Sequence, residues 1–221
     1  IKHDIIRESL KAYSIKKKIE IINEADIAAG TGLGSSSTFS VSLVHALSEM
    51  NNIKMNNYSL AEKAYEIESS IKNANCGKQD HYAASFGGIT AQTYKKNGKV
   101  EVENLNLSES CKMELKEKML LVFTGYTRSS SQILTNQKNK TSKGNIKIIQ
   151  NLNNIKKLGY DTKNLLMNGD IDSYGKLLNE HWRIKKLRDQ NISNKYINNL
   201  YNYCLDNDSI GGKIVGAGGG G

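Results

Sequence analysis

The segment Gly30-Thr31-Gly32-Leu33-Gly34-Ser35-Ser36-Ser37 decides how the rest of the chain is interpreted. After it, apolar residues recur at helical spacing, at Phe39, Leu43, Leu47 and Met50, so the segment leads into a helix. Small residues let the backbone approach a ligand closely, and the first turn of a helix presents unpaired N–H groups at its positive end. The segment is therefore predicted to bind an anion, and a phosphate suits it best.

Two better-known phosphate loops are excluded by their spacing. The chain contains no G-x-x-x-x-G-K-[ST] P-loop, and Gly30-x-Gly32-x-Gly34 differs from the dinucleotide-binding pattern G-x-G-x-x-G. One structural alternative stays open, namely an ordinary glycine-serine loop in which Ser35 or Ser36 only caps the helix.

The composition is that of a globular protein, with 221 residues, of which 38% are hydrophobic and 24% charged. No apolar run approaches the ~20 residues that span a bilayer, and no signal peptide opens the chain, so we expect a cytoplasmic protein without a membrane partner. The net charge of +9 comes from lysines scattered among Asn and Ile without a basic arm. No nucleic acid is therefore expected, and a nucleotide or sugar phosphate explains the sign equally well.

The periodicity predicts elements along the whole chain. These are a strand over 18–25, the helix that begins near Ser36, a helix capped by the box Ser59-Leu60-Ala61-Glu62, a helical turn at 81–85, a hairpin of 89–94 and 99–105, a buried strand at 119–124, helices near 143–158, 173–187 and 194–206, and a short strand with a glycine turn over 211–221. The pattern changes near residue 114, which predicts an N-terminal domain of residues 1–114 and a C-terminal domain of residues 115–221. The chain begins at Ile1 and ends in a glycine run, so we expect it to be part of a longer protein that also contains strands before Ile1.

Two motifs carry a family resemblance. The segment Gly32–Ser37 resembles the second signature of the GHMP kinases, and Gly212–Gly220 resembles the third. The resemblance implies an α+β, two-domain GHMP kinase fold. A proline of the family pattern is replaced here by Ala28, which puts the rigidity of the loop in doubt rather than the chemistry. The alternative for the terminal glycines is a flexible tail.

The resemblance also implies roles for individual residues. It assigns ATP binding to Gly30, Thr31, Gly32, Leu33, Gly34, Ser35, Ser36 and Ser37, a Mg²⁺ ion to Ser36 and Glu68, the catalytic base to Asp80, and substrate binding to Asp80, Arg128, Gly216, Ala217, Gly218 and Gly219. Lys78 is assigned a catalytic role beside Asp80, either favouring its charged form or binding a phosphate, with a solvated lysine as the alternative.

Each assignment has a plain structural alternative. Glu68 could be a surface glutamate at the edge of a helix, Asp80 a helix N-cap, and Arg128 the partner in a surface ion pair. His181 and Trp182 lie on a helix stripe with Tyr174, Leu177 and Leu178, where core packing is favoured over ligand binding.

The implied function is that of a phosphotransferase with an alcohol group as acceptor. Further stretches, among them Gly77-Lys78-Gln79-Asp80-His81 and Glu180-His181-Trp182, are most similar to the D-glycero-D-manno-heptose 7-phosphate kinases of the family. ATP would phosphorylate the anomeric hydroxyl of the heptose 7-phosphate, in the synthesis of a nucleotide-activated heptose. Fucokinase-like and galactokinase-like enzymes, and a binding protein without catalysis, are the alternatives. The predicted partners are ATP, Mg²⁺ and a small sugar phosphate, and a homodimer is left open.

Overall fold

The computed structural model of the protein describes residues 1–71, 76–125, 135, 139, 141 and 145–220. Two compact units emerge, Ile1–Asn104 and Leu105–Gly221, called here the N-terminal and C-terminal units. The helix Glu109–Lys118, called α5, thus falls in the C-terminal unit, whereas the sequence placed residues 109–114 in the first domain. The reason is that this helix (Glu109–Lys118) packs on helix α7 (Ile171–Lys186), and the thiol of Cys111 contacts the carbonyl of Leu166 at 3.6 Å.

Helices and one hairpin form the described part of the N-terminal unit. They are α1 (Asp4–Ala12), α2 (Ser35–Met50), α3 (Asn57–Ser69), α4 (Gln79–Phe86), β1 (Thr90–Tyr94) and β2 (Val100–Asn104). The strands pair antiparallel, with Thr90 opposite Asn104 and Tyr94 opposite Val100. The predicted hairpin is therefore confirmed.

The contact between α2 and α3 forms the core of the N-terminal unit. Val41 and Val44 of α2 are buried against Leu60, Ala64 and Ile67 of α3. This apolar stripe repeats every three or four residues on each helix, so one face of each is removed from water. Helix α4 packs on both helices. The arrangement brings the start of α2, the end of α3 and the start of α4 together.

The described part of the C-terminal unit is helical. It contains α5, α6 (Ile146–Met167), α7, a 3₁₀ turn at Gln190–Ile192 and α8 (Lys195–Asp206). Trp182 of α7 is only 1% exposed and packs with Ile192 and Ile197. The helices predicted near 143–158, 173–187 and 194–206 are thus confirmed, and the packing role favoured for Trp182 is confirmed with them.

The start of α3 differs from the predicted capping box. The cap is Asn56, whose side chain accepts a hydrogen bond from the backbone N–H of Ser59 at 2.9 Å. Ser59 lies inside the first turn, and the carboxylate of Glu62 binds Lys78 instead of closing a box. The prediction failed because Asn at position 56 offers the same capping chemistry three residues earlier.

Three predicted strands are absent from the described residues. Residues 18–25, 119–124 and 213–215 have no regular structure. Ile22 is 77% exposed and Leu120 is 87% exposed, so their apolar patterns do not correspond to buried strands here. A strand needs a neighbouring backbone to pair with, and no described segment provides one for these three. Among the described helices none is long and apolar enough to cross a membrane.

The cap of α3 yields a stability prediction. Asn56→Ala removes the acceptor for the Ser59 N–H and is expected to lower the free energy of unfolding by about 1 kcal/mol. Ser59→Ala is the matched control and should change it by less than about 0.5 kcal/mol, because its hydroxyl does not cap the helix. Urea unfolding of both variants measures the difference. If Ser59→Ala lowers the free energy of unfolding more than Asn56→Ala does, Ser59 is the cap, as the capping box predicted.

Candidate active site

The N-terminus of α2 has no side-chain cap. Gly34 is the N-cap residue, with a left-handed φ of 75°, and the first helix hydrogen bond runs from Thr38 N to Gly34 O at 2.9 Å. The backbone N–H groups of residues 35–37 therefore precede the helical ladder and point out of its first turn. Because neither Ser35 nor Ser36 caps the helix, the alternative of an ordinary capped loop does not hold.

Asp80 lies directly against this N-cap. A Cβ atom placed on Gly34 would come within 3.1 Å of the Cβ and Cγ atoms of Asp80 and 3.3 Å of its Oδ2 atom. Asp80 is the second residue of α4, whose N-cap position is occupied by Lys78. Asp80 is therefore not the helix cap that was the alternative for it. Only glycine at position 34 leaves room for the carboxyl beside the loop.

A buried carboxylate joins helices α2, α3 and α4 of the N-terminal unit. Glu68, at the end of α3, is 7% exposed. Its Oε1 atom accepts a hydrogen bond from Ser36 Oγ at 2.7 Å, and its Oε2 atom contacts Ser37 Oγ at 3.1 Å and His81 Nε2 at 2.7 Å. Glu68 is thus no surface glutamate. It holds the first turn of α2 to α4.

These contacts keep Glu68 ionised. Burial is the largest single influence and raises the pKa of the carboxyl, but the hydrogen bonds from His81 and Ser36, together with the charge of His81, lower the pKa below its ordinary value. The His81 ring is fully buried, and its Nδ1 atom faces the carbonyl oxygen of Gly77 at 3.2 Å. Both partners of the ring are acceptors, so the imidazolium form satisfies both contacts.

The pKa of Asp80 is shifted in the opposite direction from that of Glu68. Burial of its carboxyl against the loop raises its pKa; His81 opposes the rise and the charge of Glu68 adds to it. Asp80 also keeps a solvent-exposed side. A carboxylate that is partly desolvated but still reachable from solvent, with a raised pKa, is a more effective proton acceptor than an ordinary surface aspartate.

Lys78 does not take part in this cluster. Its ammonium contacts both oxygens of Glu62, at 2.7 and 2.8 Å, and the carbonyl of Gly98 at 3.1 Å. Asp80 receives no stabilising influence from it. The structure therefore places Lys78 in an ion pair that ties α4 to α3 and the hairpin, and the catalytic role expected of it stays a prediction.

The remaining predicted site residues lie in the C-terminal unit. Arg128 lies outside the described residues. Gly216, Ala217, Gly218 and Gly219 form a turn against the 3₁₀ segment: Gly218, at φ 105°, would place a Cβ 2.9 Å from Ile192 Cγ2, and Gly219 N donates to Ile192 O at 2.9 Å. This is packing rather than a free tail. His181 is half-buried beside the turn.

His81 is the residue that sequence reasoning missed. It stood in the quoted stretch Gly77-Lys78-Gln79-Asp80-His81 without a role of its own. The available signal was indirect, since a glutamate at the margin of an apolar stripe needs a partner when it is buried. The identity of the partner of Glu68 depends on how α4 packs against α3, and the spacing of residues along the chain does not specify this packing.

The oxygen donors of Ser36 and Glu68 fit a Mg²⁺ ion. This ion is usually held by one or two carboxylates, with water and phosphate oxygens completing its octahedron. Ser36 Oγ and Glu68 Oε1 are 2.7 Å apart at the N-terminal end of α2. Among the described residues no group of three or more His, Cys, Asp or Glu side chains is arranged to hold a metal. The pair therefore fits an ion that arrives with phosphate ligands.

Sequence comparison identifies the class of protein. Residues 3–88 match the GHMP kinases N terminal domain, and residues 162–221 match the GHMP kinases C terminal domain. The chain belongs to the GHMP kinase family, and the predicted α+β GHMP kinase fold is confirmed.

Individual relatives carry heptose and fucose names. A D-glycero-alpha-D-manno-heptose 7-phosphate kinase of Campylobacter jejuni is 34% identical over 89% of this chain and 58% of that protein. A bifunctional fucokinase/GDP-fucose pyrophosphorylase of Arabidopsis thaliana is 28% identical over 89% of this chain and 19% of that protein. The crystal structure of a D-glycero-D-manno-heptose 1-phosphate kinase of Bacteroides thetaiotaomicron matches with a TM-score of 0.72 and 28% identity, over 97% of this chain and 61% of that one. The chain thus spans less than two thirds of each of these relatives.

The contact between Gly34 and Asp80 yields a second stability prediction. Gly98→Ala is the control, because Gly98 has φ 81° but nothing within 4 Å of an added Cβ, so only backbone strain of ~1–2 kcal/mol is expected. Gly34→Ala adds the collision with Asp80 to the same strain and should cost at least about 1 kcal/mol more. Urea unfolding compares the two, and equal losses would mean that Asp80 does not restrict position 34.

Proposed function

We propose that the protein is an ATP-dependent sugar kinase that transfers the γ-phosphate of ATP to the anomeric hydroxyl of a heptose 7-phosphate, giving the 1,7-bisphosphate and ADP. The observation that carries the proposal is the convergence of Gly34, Ser36, Glu68 and Asp80 at the N-terminus of α2. Phosphoryl transfer needs these parts together, namely a phosphate cradle, ligands for the metal, and a base for the attacking hydroxyl.

The loop Gly30–Ser37 is assigned to the phosphates of ATP. The N–H groups that open α2 would donate to phosphate oxygens, and the positive end of the helix dipole favours their charge. Glycine at position 34 keeps the backbone accessible, since any side chain there would occupy the space beside Asp80. The loop would thereby hold the γ-phosphate next to the carboxyl of Asp80.

Ser36 and Glu68 are assigned to Mg²⁺. Bound there, the ion would neutralise charge on the phosphate oxygens during transfer. The work of this chain is to keep the carboxylate ionised and fixed, which the hydrogen bonds from His81 and Ser37 do. His81 is therefore a positioning residue for Glu68, in the manner of the outer-shell partners that orient metal ligands.

Asp80 is assigned the role of general base. The sugar hydroxyl oxygen attacks the γ-phosphorus, its proton passes to an oxygen of the Asp80 carboxylate, and the bond from the γ-phosphorus to the bridging oxygen breaks to release ADP. The raised pKa of Asp80 brings its basicity closer to that of an effective proton acceptor near neutral pH.

The heptose phosphate acceptor is supported by relatives rather than by a contact in the described residues. Two of the relatives have heptose phosphate kinase names, one for a 7-phosphate and one for a 1-phosphate. The fucokinase relative supports a fucose-type sugar as the second candidate acceptor.

An acceptor screen tests the function. Purified protein with ATP and Mg²⁺ would be supplied with heptose 7-phosphate, heptose, fucose or galactose, and ADP release measured. The proposal expects the heptose 7-phosphate to give the highest kcat/KM, with a phosphate newly attached at the anomeric carbon by NMR. ADP release with fucose alone would make fucose the acceptor. If none of the four sugars causes ADP release, the kinase assignment is refuted.

The role of Asp80 generates a kinetic prediction. Asp80→Asn keeps the size of the side chain but does not accept the proton, so kcat should fall by ~10²–10⁴-fold while the binding of ATP and sugar changes much less. Asp4→Asn, the same change at an exposed ion pair on α1, is the control and should leave kcat unaltered. Steady-state kinetics and separate binding measurements decide, and near-normal turnover of a folded Asp80→Asn protein would remove Asp80 from the chemistry.

The assignment of Glu68 to Mg²⁺ generates a prediction about the metal dependence of activity. Glu68→Gln retains the shape and removes the charge, so the Mg²⁺ concentration for half-maximal activity should rise at least about tenfold. Glu66→Gln is its matched control on the same helix, because the Glu66 side chain is 70% exposed and, among the described residues, pairs with Lys63 alone. The measurement is a Mg²⁺ titration of activity for both variants. An unchanged midpoint in Glu68→Gln would leave Glu68 with a structural role alone.

A further inference from the structure

Basic side chains gather beside the glycine turn of the C-terminal unit. His181 and Lys185 are four residues apart on α7 and so share one helix face, and Arg188 follows just beyond the helix end. Lys185 is 7% exposed, and its ammonium donates to the carbonyl oxygens of Ile214 at 3.0 Å and Gly216 at 2.6 Å. Those carbonyls place Lys185 against the segment that begins with Lys213.

Lys185 lies among positive charges in the described part of the chain. Burial first, and then the charges of Lys213 and Arg188, lower the pKa of Lys185 to about 7, with no carboxylate among the influences. Burial and Arg188 likewise lower the pKa of Lys213. Burial, with Lys213, Lys185 and Arg188, lowers the pKa of His181 to about 4. Like charges held together out of water oppose each other, and an anion between them would relieve the repulsion.

We propose that Lys185, Arg188 and Lys213 form a binding site for a phosphomonoester, and that its occupant is the phosphate group of the sugar phosphate acceptor. This identification of the occupant rests on the proposed function. The phosphate loop of α2 is assigned to the phosphates of ATP. The cluster is thus assigned to the phosphate that is not transferred.

The side chains have the chemistry that this ligand requires. An ammonium has three N–H donors, and the carbonyls of the turn use two of those of Lys185, which leaves one for a ligand among the contacts of the described residues. The Nε atom of Arg188 donates to Asn151 Oδ1 at 3.0 Å, and Asn151 in turn donates to Ile184 O at 2.7 Å, which orients the guanidinium. A planar guanidinium matches phosphate oxygens with parallel hydrogen bonds. A phosphomonoester of charge about −1.5 to −2 compensates most of the cluster.

The other basic side chains near the end of α7 do not belong to this cluster. Arg183 pairs with Glu180 at 2.6 Å, and the ammonium of Lys186 lies 5.3 Å from the ring of Trp182. These side chains have partners of their own on other sides of the helix. Lys213, in contrast, has neither a hydrogen bond nor an ion pair within the described part of the chain. Its ammonium is the donor that an incoming phosphate would engage without breaking an existing contact.

Calorimetric binding measurements on variants of Lys213 test the inference. The probes are inorganic phosphate, heptose 7-phosphate, unphosphorylated heptose and a non-hydrolysable ATP analogue. Lys213→Met should weaken the binding of inorganic phosphate and of heptose 7-phosphate by ~10-fold or more, since a charge-assisted hydrogen bond is lost. The affinities for heptose and for the ATP analogue should not change.

Matched variants separate charge from folding. Lys213→Arg keeps the positive charge and should retain most of the phosphate affinity, whereas Lys213→Gln removes the charge with a different side chain and should behave like Lys213→Met. Lys176→Met deletes a lysine from an exposed position of α7 and should leave all four affinities unchanged. Far-ultraviolet circular dichroism confirms that each variant is folded.

The outcomes distinguish this inference from the proposed function. Unchanged phosphate and heptose 7-phosphate binding in folded Lys213→Met, with wild-type protein active on heptose 7-phosphate, overturns the site and leaves the function standing. If Lys213→Met loses inorganic phosphate binding but the wild-type protein phosphorylates no sugar phosphate, the site is supported. Its assigned occupant and the proposed acceptor are then both overturned. Loss of ATP-analogue binding instead would assign the cluster to the nucleotide and overturn the inference.

Discussion

The buried carboxylate of Glu68 is the interaction on which the N-terminal unit depends. Two helices supply its partners, through Ser36 and Ser37 of α2 and His81 of α4, while Glu68 itself lies on α3. A buried charge without such partners would be costly, so α2 and α4 must keep their places for α3 to bury it. The carboxylate is thereby both a structural tie and a fixed pair of oxygens at the N-terminal end of α2.

The same geometry explains why the loop needs glycine. At position 34 the backbone turns into the left-handed region and Asp80 fills the space that a side chain would occupy. One position thus joins the entry into α2 to the placement of the proposed base. The C-terminal unit uses glycine in a similar way at Gly218, where the backbone closes against Ile192 and holds the turn beside Lys185. In both units a glycine motif brings backbone close to a group with functional chemistry.

Local sequence was a good guide where a segment contains its own determinants. The helix after Ser35, the hairpin around Gly98 and the helices after Asn145, Asp170 and Asn194 follow from periodicity, turn residues and caps within a few positions. It was a poor guide where an element needs a distant neighbour. Residues 119–124 have the composition of a buried strand, yet Leu120 is 87% exposed because no described segment pairs with it.

The sequence by itself determined the family and predicted the phosphate loop and the site residues Ser36, Glu68 and Asp80, since two glycine motifs and their spacing are readable without coordinates. Only the tertiary structure decided which partners these residues have. In the folded protein Lys78 pairs with Glu62, and His81 contacts Glu68. Lys185, Arg188 and Lys213 come together beside one turn. The physical reason is that a hydrogen bond or charge contact depends on a separation of a few ångströms in space. Residues 13 to 31 positions apart reach that separation only after the helices have packed.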